Sequence, residues 1–172
     1  MDRVIGQLLE FARPMNIQKK TASLEDVIRD SLKMVEAEAH QKEIKVDFSS
    51  DPQTKEIRFD PDRIRQVLLN LYLNAIAAME SGGVLSVELR QKDDTGRLRI
   101  IVSDTGTCIK HEDLPHLFDP YFTTKPSGTG LGLAIVHKII ESHGGEVSVE
   151  SRYGEGSTVT IQFPYDREGS TA

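Results

Sequence analysis

Residues 98–106 of the chain read LRIIVSDTG, a mostly apolar run that ends in an aspartate and a glycine. Residues 98–102 predict a buried strand, and Asp104 and Gly106 follow at its end. A carboxylate that emerges from a buried strand can accept a hydrogen bond from an exocyclic amine of a ligand. Aspartates at strand ends also commonly cap loops, so this stretch alone leaves a binding role and a structural role open.

Five further strands and three main helices are predicted around this stretch, from apolar residues at strand and helix spacing. The predicted strands are residues 44–48, 57–59, 85–89, 98–102, 147–149 and 159–163, and the predicted helices are residues 24–43, 61–81 and 130–143. Helices and strands that mix along one chain favour an α+β domain. We therefore expect a two-layer sandwich, with one face of a sheet covered by about three helices.

Two helix starts carry capping signals. Ser23 precedes the first main helix, and Asp26 stands three positions on, as in a capping box. Asp60 is a capping residue followed by Pro61 at the first helical position of the next helix. Both signals predict well-defined helix N-termini.

An apolar stripe in residues 4–12 predicts a short helix that stops at Pro14. We interpret it as the end of a longer helix truncated upstream; the alternative is a helix that docks on the domain's own surface. Residues 16–20 read as a polar linker. The predicted division is a helix end and linker at residues 1–18, a domain at residues 19–165 and a flexible tail at residues 166–172.

Composition excludes several classes of function. The 172 residues carry a net charge of −6 with both signs interspersed, so no basic face for nucleic acid is predicted. The single cysteine, Cys108, excludes a disulfide framework and suits a reducing compartment. No apolar run approaches the roughly 20 residues that cross a bilayer. We expect a cytoplasmic domain, whose parent protein could still be anchored in the inner membrane.

Asn70 and Asn74 stand one turn apart on the predicted middle helix and therefore share a face. They interrupt an otherwise apolar run, and buried amides need partners. They could cap backbone groups or face solvent. Alternatively they form a site, because an amide oxygen is a hard ligand that suits Mg²⁺ bound to phosphates.

Residues 107–129 contain no long periodic pattern apart from a short helix candidate at residues 114–118, and so long a loop is usually functional or disordered. Its aromatic residues, Phe118, Tyr121 and Phe122, are expected to anchor the loop to the core. Lys125 could reach a phosphate, although an isolated loop lysine is more often solvated.

Residues 128–133 read GTGLGL and open a predicted helix. Glycines bring backbone N–H groups close to an anion, and the helix N-terminus adds the positive end of its dipole. The segment is not a Walker loop, because no Lys-Ser/Thr pair follows the last glycine. It does not fit a dinucleotide fingerprint either, because its spacing differs and no strand precedes it.

Taken in order, these four features closely resemble the motif boxes of histidine kinase catalytic domains, which belong to the superfamily of gyrase, Hsp90 and MutL ATPases. The resemblance covers residues 20–165. It rests on Asn70-x-x-x-Asn74, Asp104-x-Gly106, Phe118-x-Pro-x-Phe122 and Gly128-x-Gly130-x-Gly132. The short spacing from Thr123-Thr124-Lys125 to Gly128 is similar to that in kinases of nitrogen- and metal-responsive two-component systems.

The resemblance implies a Bergerat-type fold with a mixed, mostly antiparallel sheet, and transfer of the γ-phosphoryl of ATP to a histidine on a dimerisation helix. It implies that Asp104 binds the adenine amine, that Asn74 is the Mg²⁺ ligand and that residues 105–129 form a lid. Catalytic roles fall to Asn70, Asn74 and Lys125. Nucleotide contacts are expected from Asn74, Asp104, Gly106, Cys108, Ile109, Phe122, Thr123, Thr124, Gly128, Thr129, Gly130, Leu131 and Gly132. Implied partners are the kinase's own dimerisation helices, in a homodimer, and a response regulator.

Two features depart from the family pattern. The phosphoacceptor box, His-Glu followed by Asn-Pro on a helix, does not occur in the chain; His111 precedes a glutamate but lies in the lid. Cys108 stands where the adenine box has its second glycine. If that position needs backbone angles that only glycine adopts freely, Cys108 strains the lid and weakens nucleotide binding.

Two rival functions remain open at this point. Cys108 makes a nucleotide-binding regulatory module without transfer activity plausible. A gyrase-like ATPase is the other rival, although those relatives carry a glutamate where Asn70 stands, to activate water.

Overall fold

The computed structural model of the protein describes residues 2–51, 56–92 and 96–164. Its four helices are α1 (Asp2–Ala12), α2 (Leu24–Gln41), α3 (Pro61–Ala78) and α4 (Gly132–Ser142). Its strands are β1 (Lys20–Ala22), β2 (Lys45–Ser50), β3 (Ile57–Phe59), β4 (Val84–Lys92), β5 (Arg97–Asp104), β6 (Glu146–Arg152) and β7 (Gly156–Pro164). The predicted tail at residues 166–172 lies outside the described residues.

The main sheet has five strands in the order β2-β4-β5-β7-β6. β2 pairs with β4 in parallel, and the other three pairings are antiparallel. The predicted fold class, a mixed and mostly antiparallel sheet covered by helices, is therefore confirmed.

A small second sheet joins β1 to β3 in antiparallel fashion. β1 was missed in the sequence, where residue 20 closes the predicted polar linker. Its pairing joins residues nearly forty positions apart, with Lys20 opposite Phe59, and a three-residue strand has no periodicity of its own to detect.

The core lies between the sheet and one layer of helices. Alternate residues of β4 and β5 face this core, so Val87 pairs with Val102 across the ladder and both are buried. α2 and α3 pack against each other, and α3 packs against α4. Each fully buried aliphatic side chain of this kind contributes roughly 1.5–3 kcal/mol of transfer free energy.

α1 docks on the domain through polar contacts and through the half-buried ring of Phe11. Glu10 forms an ion pair with Arg63 of α3, and the ammonium of Lys138 in α4 donates to the carbonyl oxygens of Phe11 and Arg13. Four apolar residues of α1 remain exposed: Val4, Ile5, Leu8 and Leu9 are between 41% and 53% exposed. The helix therefore docks on the domain's own surface through Phe11, at the end of its apolar stripe, which packs against the core, while the rest of the stripe stays exposed. Within the described ranges, no helix is both long enough and apolar enough to cross a bilayer.

Both predicted helix caps are present. The hydroxyl of Ser23 accepts a hydrogen bond from the N–H of Asp26, at 3.1 Å. The Asp60 carboxylate accepts from the N–H of Arg63, at 3.1 Å, and from the N–H of Gln18, at 2.8 Å. Asp60 thus caps α3 and also fixes the linker that follows α1.

His143 is buried at the C-terminus of α4 and completes this junction. Its Nε2 accepts a hydrogen bond from the N–H of Asp60, at 3.1 Å, and its Nδ1 lies 2.8 Å from the carbonyl oxygen of Ile139. The two contacts require the neutral imidazole with its proton on Nδ1. Burial accordingly lowers the pKa of His143 below its ordinary value of 6.5.

The pKa of His143 predicts a loss of stability in mild acid. The unfolded chain takes up a proton near pH 6.5 whereas the folded chain resists it, so the stabilisation is complete above that pH and is lost as the pH falls. Urea unfolding between about pH 8 and pH 5 should show a steeper decline for the parent chain than for His143→Asn. His40→Asn, at an exposed position of α2, is the control and should follow the parent; equal slopes for all three chains would contradict the assignment.

Candidate functional site

Asp104 ends β5, where β4 and β7 flank it. Leu85 and Ser157 are its ladder partners. The carboxylate accepts hydrogen bonds from the backbone N–H groups of Gly106, at 2.9 Å, and Ser157. Burial raises the pKa of Asp104 above its ordinary value, while the two N–H groups and the nearby Lys125 oppose that rise. A half-buried carboxylate with remaining acceptor capacity is thus held at the end of the central strand.

Gly106 lies against the last turn of α3. A Cβ at this position would stand 2.5 Å from the carbonyl oxygen of Ala78, a distance that real side chains do not tolerate. The next residue, Thr107, donates its N–H to that same carbonyl oxygen at 2.9 Å. Gly106 is therefore required for close packing between α3 and the segment that follows Asp104.

Asn70 and Asn74 are both half-buried on α3, one turn apart. Asn70 faces the start of α4, because its Oδ1 lies 3.6 Å from where a Cβ of Gly132 would stand. Within the described residues, neither side-chain amide forms a hydrogen bond. Their oxygens are therefore available to a ligand.

The start of α4 offers free backbone donors. Leu131 occupies the N-cap position, and no side chain caps the N–H groups of the first turn. Such groups attract anions, because they lack partners within the helix and carry the positive end of its dipole. Thr129, just before this turn, accepts from the N–H of Leu131 at 3.3 Å and donates to Oε1 of Gln7 at 2.8 Å. The glycine-rich segment thus opens α4 as predicted, and it also contacts α1.

Residues 105–131 form a long connection whose only described helical turn is Leu114–His116. Of the three aromatic residues expected to anchor the connection to the core, Phe118 contacts α4, Phe122 contacts His116 of the same connection, and Tyr121 is 61% exposed, so the expectation is wrong for Tyr121. The ring centroid of Phe118 lies 5.6 Å from that of His137 in α4, and that of Phe122 lies 5.8 Å from that of His116. The middle of the connection therefore rests on α4.

Tyr121 and Gly130 close the base of a loop. The N–H of Tyr121 donates to the carbonyl oxygen of Gly130 at 2.8 Å, and both residues have positive φ, +68° and +70°. A left-handed conformation is a genuine outlier for an aromatic residue. A Cβ at Gly130 would stand 2.3 Å from the backbone carbon of Tyr121, so only glycine fits there. Thr123, Thr124, Lys125 and Gly128 lie inside this closed loop and are all exposed.

Lys125 lies near Asp104, the residue whose pKa it helps to hold down. Its own pKa is lowered, first by loss of water around the ammonium and also by Lys42, whereas Asp104 raises it. Lys125 as a whole is exposed. Its position is therefore better defined by its two charged neighbours, Asp104 and Lys42, than by its burial. The structure therefore brings Lys125 towards the end of β5, as a ligand-binding role would require.

Cys108 lies between two anchored residues. Thr107 is bonded to Ala78, and the N–H of Ile109 donates to the hydroxyl of Ser151 at 2.8 Å. Cys108 is not one of the two described non-glycine residues with positive φ. The expectation of a strained backbone at Cys108 is therefore wrong; within this connection the residue with positive φ is Tyr121, thirteen positions later.

α3 connects the two ends of the site. Asn70 lies beside the start of α4, and Ala78 lies beside Gly106, eight residues further along the helix. At 1.5 Å per residue, these two contacts are about 12 Å apart along the helix axis. A carboxylate therefore stands at one end of an elongated site, the backbone donors of α4 and the Asn70 amide stand at the other, and Asn74 lies between them along α3.

Four residues that build this site were missed in the sequence: Lys42, Met79, Ser151 and Ser157. Each acts through a backbone group or a contact with a distant element, which leaves no local pattern. Gly156 did carry a signal, since it lies in the glycine-containing turn of the predicted closing hairpin. Its φ is +84°, and a Cβ there would meet the carbonyl oxygen of Asp104.

Comparison with known proteins agrees with this arrangement. Residues 59–167 match the family described as histidine kinase-, DNA gyrase B-, and HSP90-like ATPase. Among curated proteins, the sensor histidine kinase ZraS of Salmonella typhimurium is 46% identical over 164 residues, which are 95% of this chain and 35% of ZraS. The chain thus spans about a third of the length of that relative.

Solved structures give the same result. The nucleotide-free catalytic domain of histidine kinase ThkA matches with a TM-score of 0.78 and 33% identity, over 86% of this chain and 95% of that one. Full-length ShkA in complex with AMPPNP matches with a TM-score of 0.84 and 28% identity, over 95% and 35% of the two chains. ThkA in complex with the response regulator protein TrrA matches with a TM-score of 0.83 and 28% identity, over 98% and 48%.

The family match covers more than half of the chain, and the ThkA catalytic domain is matched over nearly its whole length. The chain therefore belongs to the histidine kinase-, DNA gyrase B- and HSP90-like ATPase family, and within it to the catalytic domains of sensor histidine kinases.

Proposed function

We propose that this domain binds Mg-ATP along α3 and transfers the γ-phosphoryl group to a histidine on a dimerisation helix that lies outside the chain. The observation that carries the proposal is the order of groups along the site. Asp104 stands at one end, Asn70 and Asn74 project from α3, and the uncapped start of α4 stands at the other end. This order matches the polarity of a nucleotide, with a base at one end and phosphates at the other.

At the base end, the Asp104 carboxylate accepts a hydrogen bond from the adenine amine. Gly106 lets the backbone approach, and we assign Cys108 and Ile109 to the same end of the site. Family members are adenine-nucleotide enzymes, and the similar ShkA was solved with AMPPNP, which supports this orientation of the nucleotide.

At the phosphate end, backbone N–H groups of the α4 start bind the anionic groups, as helix N-termini commonly do. We assign these contacts to Gly128, Thr129, Gly130, Leu131 and Gly132. The loop closed by Tyr121 and Gly130 brings further residues to the nucleotide: Phe122, Thr123, Thr124 and Lys125. Lys125 supplies the positive charge, which favours it for contact with the transferred phosphoryl group.

The amide oxygen of Asn74 fits a Mg²⁺ ion that also binds phosphates, because hard oxygen ligands suit this cation. Among the described residues, no cluster of three or more histidine, cysteine or carboxylate side chains could hold a metal ion. An ion that relies on the nucleotide for most of its ligands needs only one or two protein oxygens. Bound there, it would neutralise charge on the phosphates. Asn70, one turn away, lies next to the first turn of α4 and orients the phosphates.

In the transfer itself, no side chain of this domain forms or breaks a covalent bond. An imidazole nitrogen of the acceptor histidine attacks the γ-phosphorus, the bond to the bridging oxygen breaks, and ADP leaves. The chain supplies position and electrostatic stabilisation, which dominate phosphoryl transfer. Asn70 cannot act as a general base towards water, so hydrolysis of ATP should be slow. This property argues against the gyrase-like rival.

The partners follow from the same proposal. We assign α1 to the end of the dimerisation helix, because its exposed apolar stripe suits the helices of a homodimer. The similar ThkA was solved with the response regulator protein TrrA, which supports a response regulator as the next partner. The ATP requirement and the single cysteine support a cytoplasmic location for this domain, which is compatible with a parent protein anchored in the inner membrane.

The adenine assignment predicts opposite effects of Asp104→Asn on binding and on stability. Losing a charged hydrogen bond to the amine costs about 1.5–3 kcal/mol, so Mg-ADP should bind at least about tenfold more weakly. Because burial raises the pKa of Asp104, the ionised carboxylate is unfavourable in the empty fold. The variant should therefore unfold at an equal or higher temperature.

Calorimetric titration and thermal unfolding of the same samples measure the two effects. Asp62→Asn, at an exposed position in the first turn of α3, is the matched control and should retain full affinity. Unchanged Mg-ADP affinity in Asp104→Asn would remove the adenine assignment.

The transfer proposal predicts that the chain labels a separate dimerisation segment carrying the family's histidine box when it is given radioactive ATP. Asn74→Ala should abolish this labelling by removing the Mg²⁺ ligand, and Asn16→Ala in the linker should not. The acid-labile phosphate should be absent from the chain's own five histidines. Brisk ATP hydrolysis without transfer would favour the gyrase-like rival, and nucleotide binding without either reaction would favour a regulatory module.

The structure predicts a different effect of replacing Cys108 on nucleotide affinity from the one that its sequence position suggests. Because its backbone is already ordinary, Cys108→Gly should change Mg-ADP affinity by no more than about twofold. Bound ADP should still slow thiol modification of Cys108, since the residue lines the adenine end. Calorimetry and labelling rates measure both effects, and a tenfold gain in affinity for Cys108→Gly would restore the strain interpretation.

A further inference from the structure

Lys42 caps a helix to which it does not belong. It ends α2, and its ammonium donates to two carbonyl oxygens at the end of α3: that of Ile76 at 3.0 Å and that of Met79 at 3.2 Å. Carbonyl groups in the last turn of a helix lack partners within the helix and attract cations. α3 has no basic residue in its own last turn, so this positive charge comes from α2.

The carbonyl oxygen of Ala78 lies between the two that Lys42 binds, and it holds the start of the lid. It accepts the N–H of Thr107 at 2.9 Å, and Gly106 packs directly against it. Contacts thus connect Lys42 to Asp104 through the last turn of α3 and the segment at residues 106–107.

Lys42 also fixes the turn that leaves α3. Its carbonyl oxygen accepts the N–H of Gly82 at 2.7 Å, and the nearby Lys45 donates its N–H to the carbonyl oxygen of Gly83 at 2.9 Å. Within that turn, the sulfur of Met79 lies 3.7 Å from Oγ1 of Thr105, the first residue after Asp104. The side chain of Lys42 therefore holds the last turn of α3, and its backbone holds the turn that follows. Both turns support the proposed adenine end of the site.

We propose that Lys42 is a positioning residue for nucleotide binding, acting through the last turn of α3 on the segment that follows Asp104. This inference rests on the proposed nucleotide site and deepens it. Lys42 need not touch the nucleotide. It holds Ala78 where that residue's carbonyl can fix Thr107, and so it sets the distance between α3 and the wall of the adenine pocket.

The charge relationships agree with this placement. The Lys42 ammonium helps to lower the pKa of Lys125, and Lys125 in turn lies near Asp104. The end of α3, Lys42 and the charged pair of the site therefore form one neighbourhood. A lysine that only projected into solvent from α2 would not affect the pKa of Lys125.

The competing interpretation is that Lys42 only stabilises α3. A stabilising cap would lower the unfolding temperature when removed, but it would leave the nucleotide affinity of the folded protein and the Thr107 amide unchanged. The positioning role instead changes both at temperatures where the variant remains fully folded. The two interpretations can therefore be separated by binding and amide exchange measured well below the unfolding transition.

The test uses the 172-residue chain with Lys42→Gln, Lys42→Arg and, as the control on the same helix, Lys33→Gln. In the part of the chain that the structure describes, the Lys33 side chain makes an exposed ion pair with Asp30, at 3.1 Å, and no other polar contact. Calorimetric titration with Mg-ADP should show about tenfold weaker binding for Lys42→Gln, about threefold weaker binding for Lys42→Arg and no change for Lys33→Gln. Amide exchange should speed up at Thr107 in Lys42→Gln and stay unchanged at Ile109, which Ser151 holds independently.

The outcomes separate this inference from the proposed function. If the parent chain fails to bind Mg-ADP, the proposed function fails. If the parent binds and folded Lys42→Gln binds equally well, the positioning role is overturned, whatever happens to its unfolding temperature. If Lys42→Gln does not fold, Lys42→Arg decides: a guanidinium keeps the charge but moves the donors, so parent-like affinity and parent-like exchange at Thr107 would overturn the inference.

Discussion

The contact between the last turn of α3 and Gly106 is the constraint on which the site depends. The two backbones approach so closely that the α-hydrogen of glycine alone fits between them. This approach joins the helix that carries both asparagines to the strand end that carries the carboxylate. Any side chain at Gly106 would move α3 away from the end of β5. The asparagines and the Asp104 carboxylate could then no longer contact the same ligand. The site is therefore fixed by this packing together with the hydrogen bond from Thr107 to Ala78.

The position of Asp104 lowers the stability of the empty fold. Its carboxylate is held partly out of water, which raises its pKa, and its only described hydrogen-bond donors are two backbone N–H groups. An ionised group placed in this way destabilises the empty fold relative to a neutral one of the same shape. Native domains are stable by only about 5–15 kcal/mol, so a group of this kind is retained where a ligand will use it. Asp60, a more deeply buried carboxylate, differs because its oxygens cap a helix and fix the linker.

The sequence predicted the elements that follow local rules. The caps at Ser23 and Asp60, the strand that ends at Asp104 and the glycine-rich start of α4 all show in periodicity or turn chemistry. What it missed depends on contacts between distant residues: the pairing of β1 with β3, and the polar contacts that dock α1. The error at Cys108 has the same origin. A missing glycine suggests strain, but φ at that position is set by anchors on α3 and on Ser151, neither of which can be read from residues 104–108.

The hydrogen bond between Tyr121 and Gly130 has a consequence for how such domains can diverge. It closes the loop at its base, so the residues between are tied at both ends whatever their number. The entropy of closing a loop rises only slowly with its length, by about 0.6 kcal/mol for each doubling. Insertions between these two residues would therefore cost little stability and would leave α4 in place. Evolution can therefore insert residues into this segment to suit a new partner while Asp104 and the first turn of α4 stay where they are.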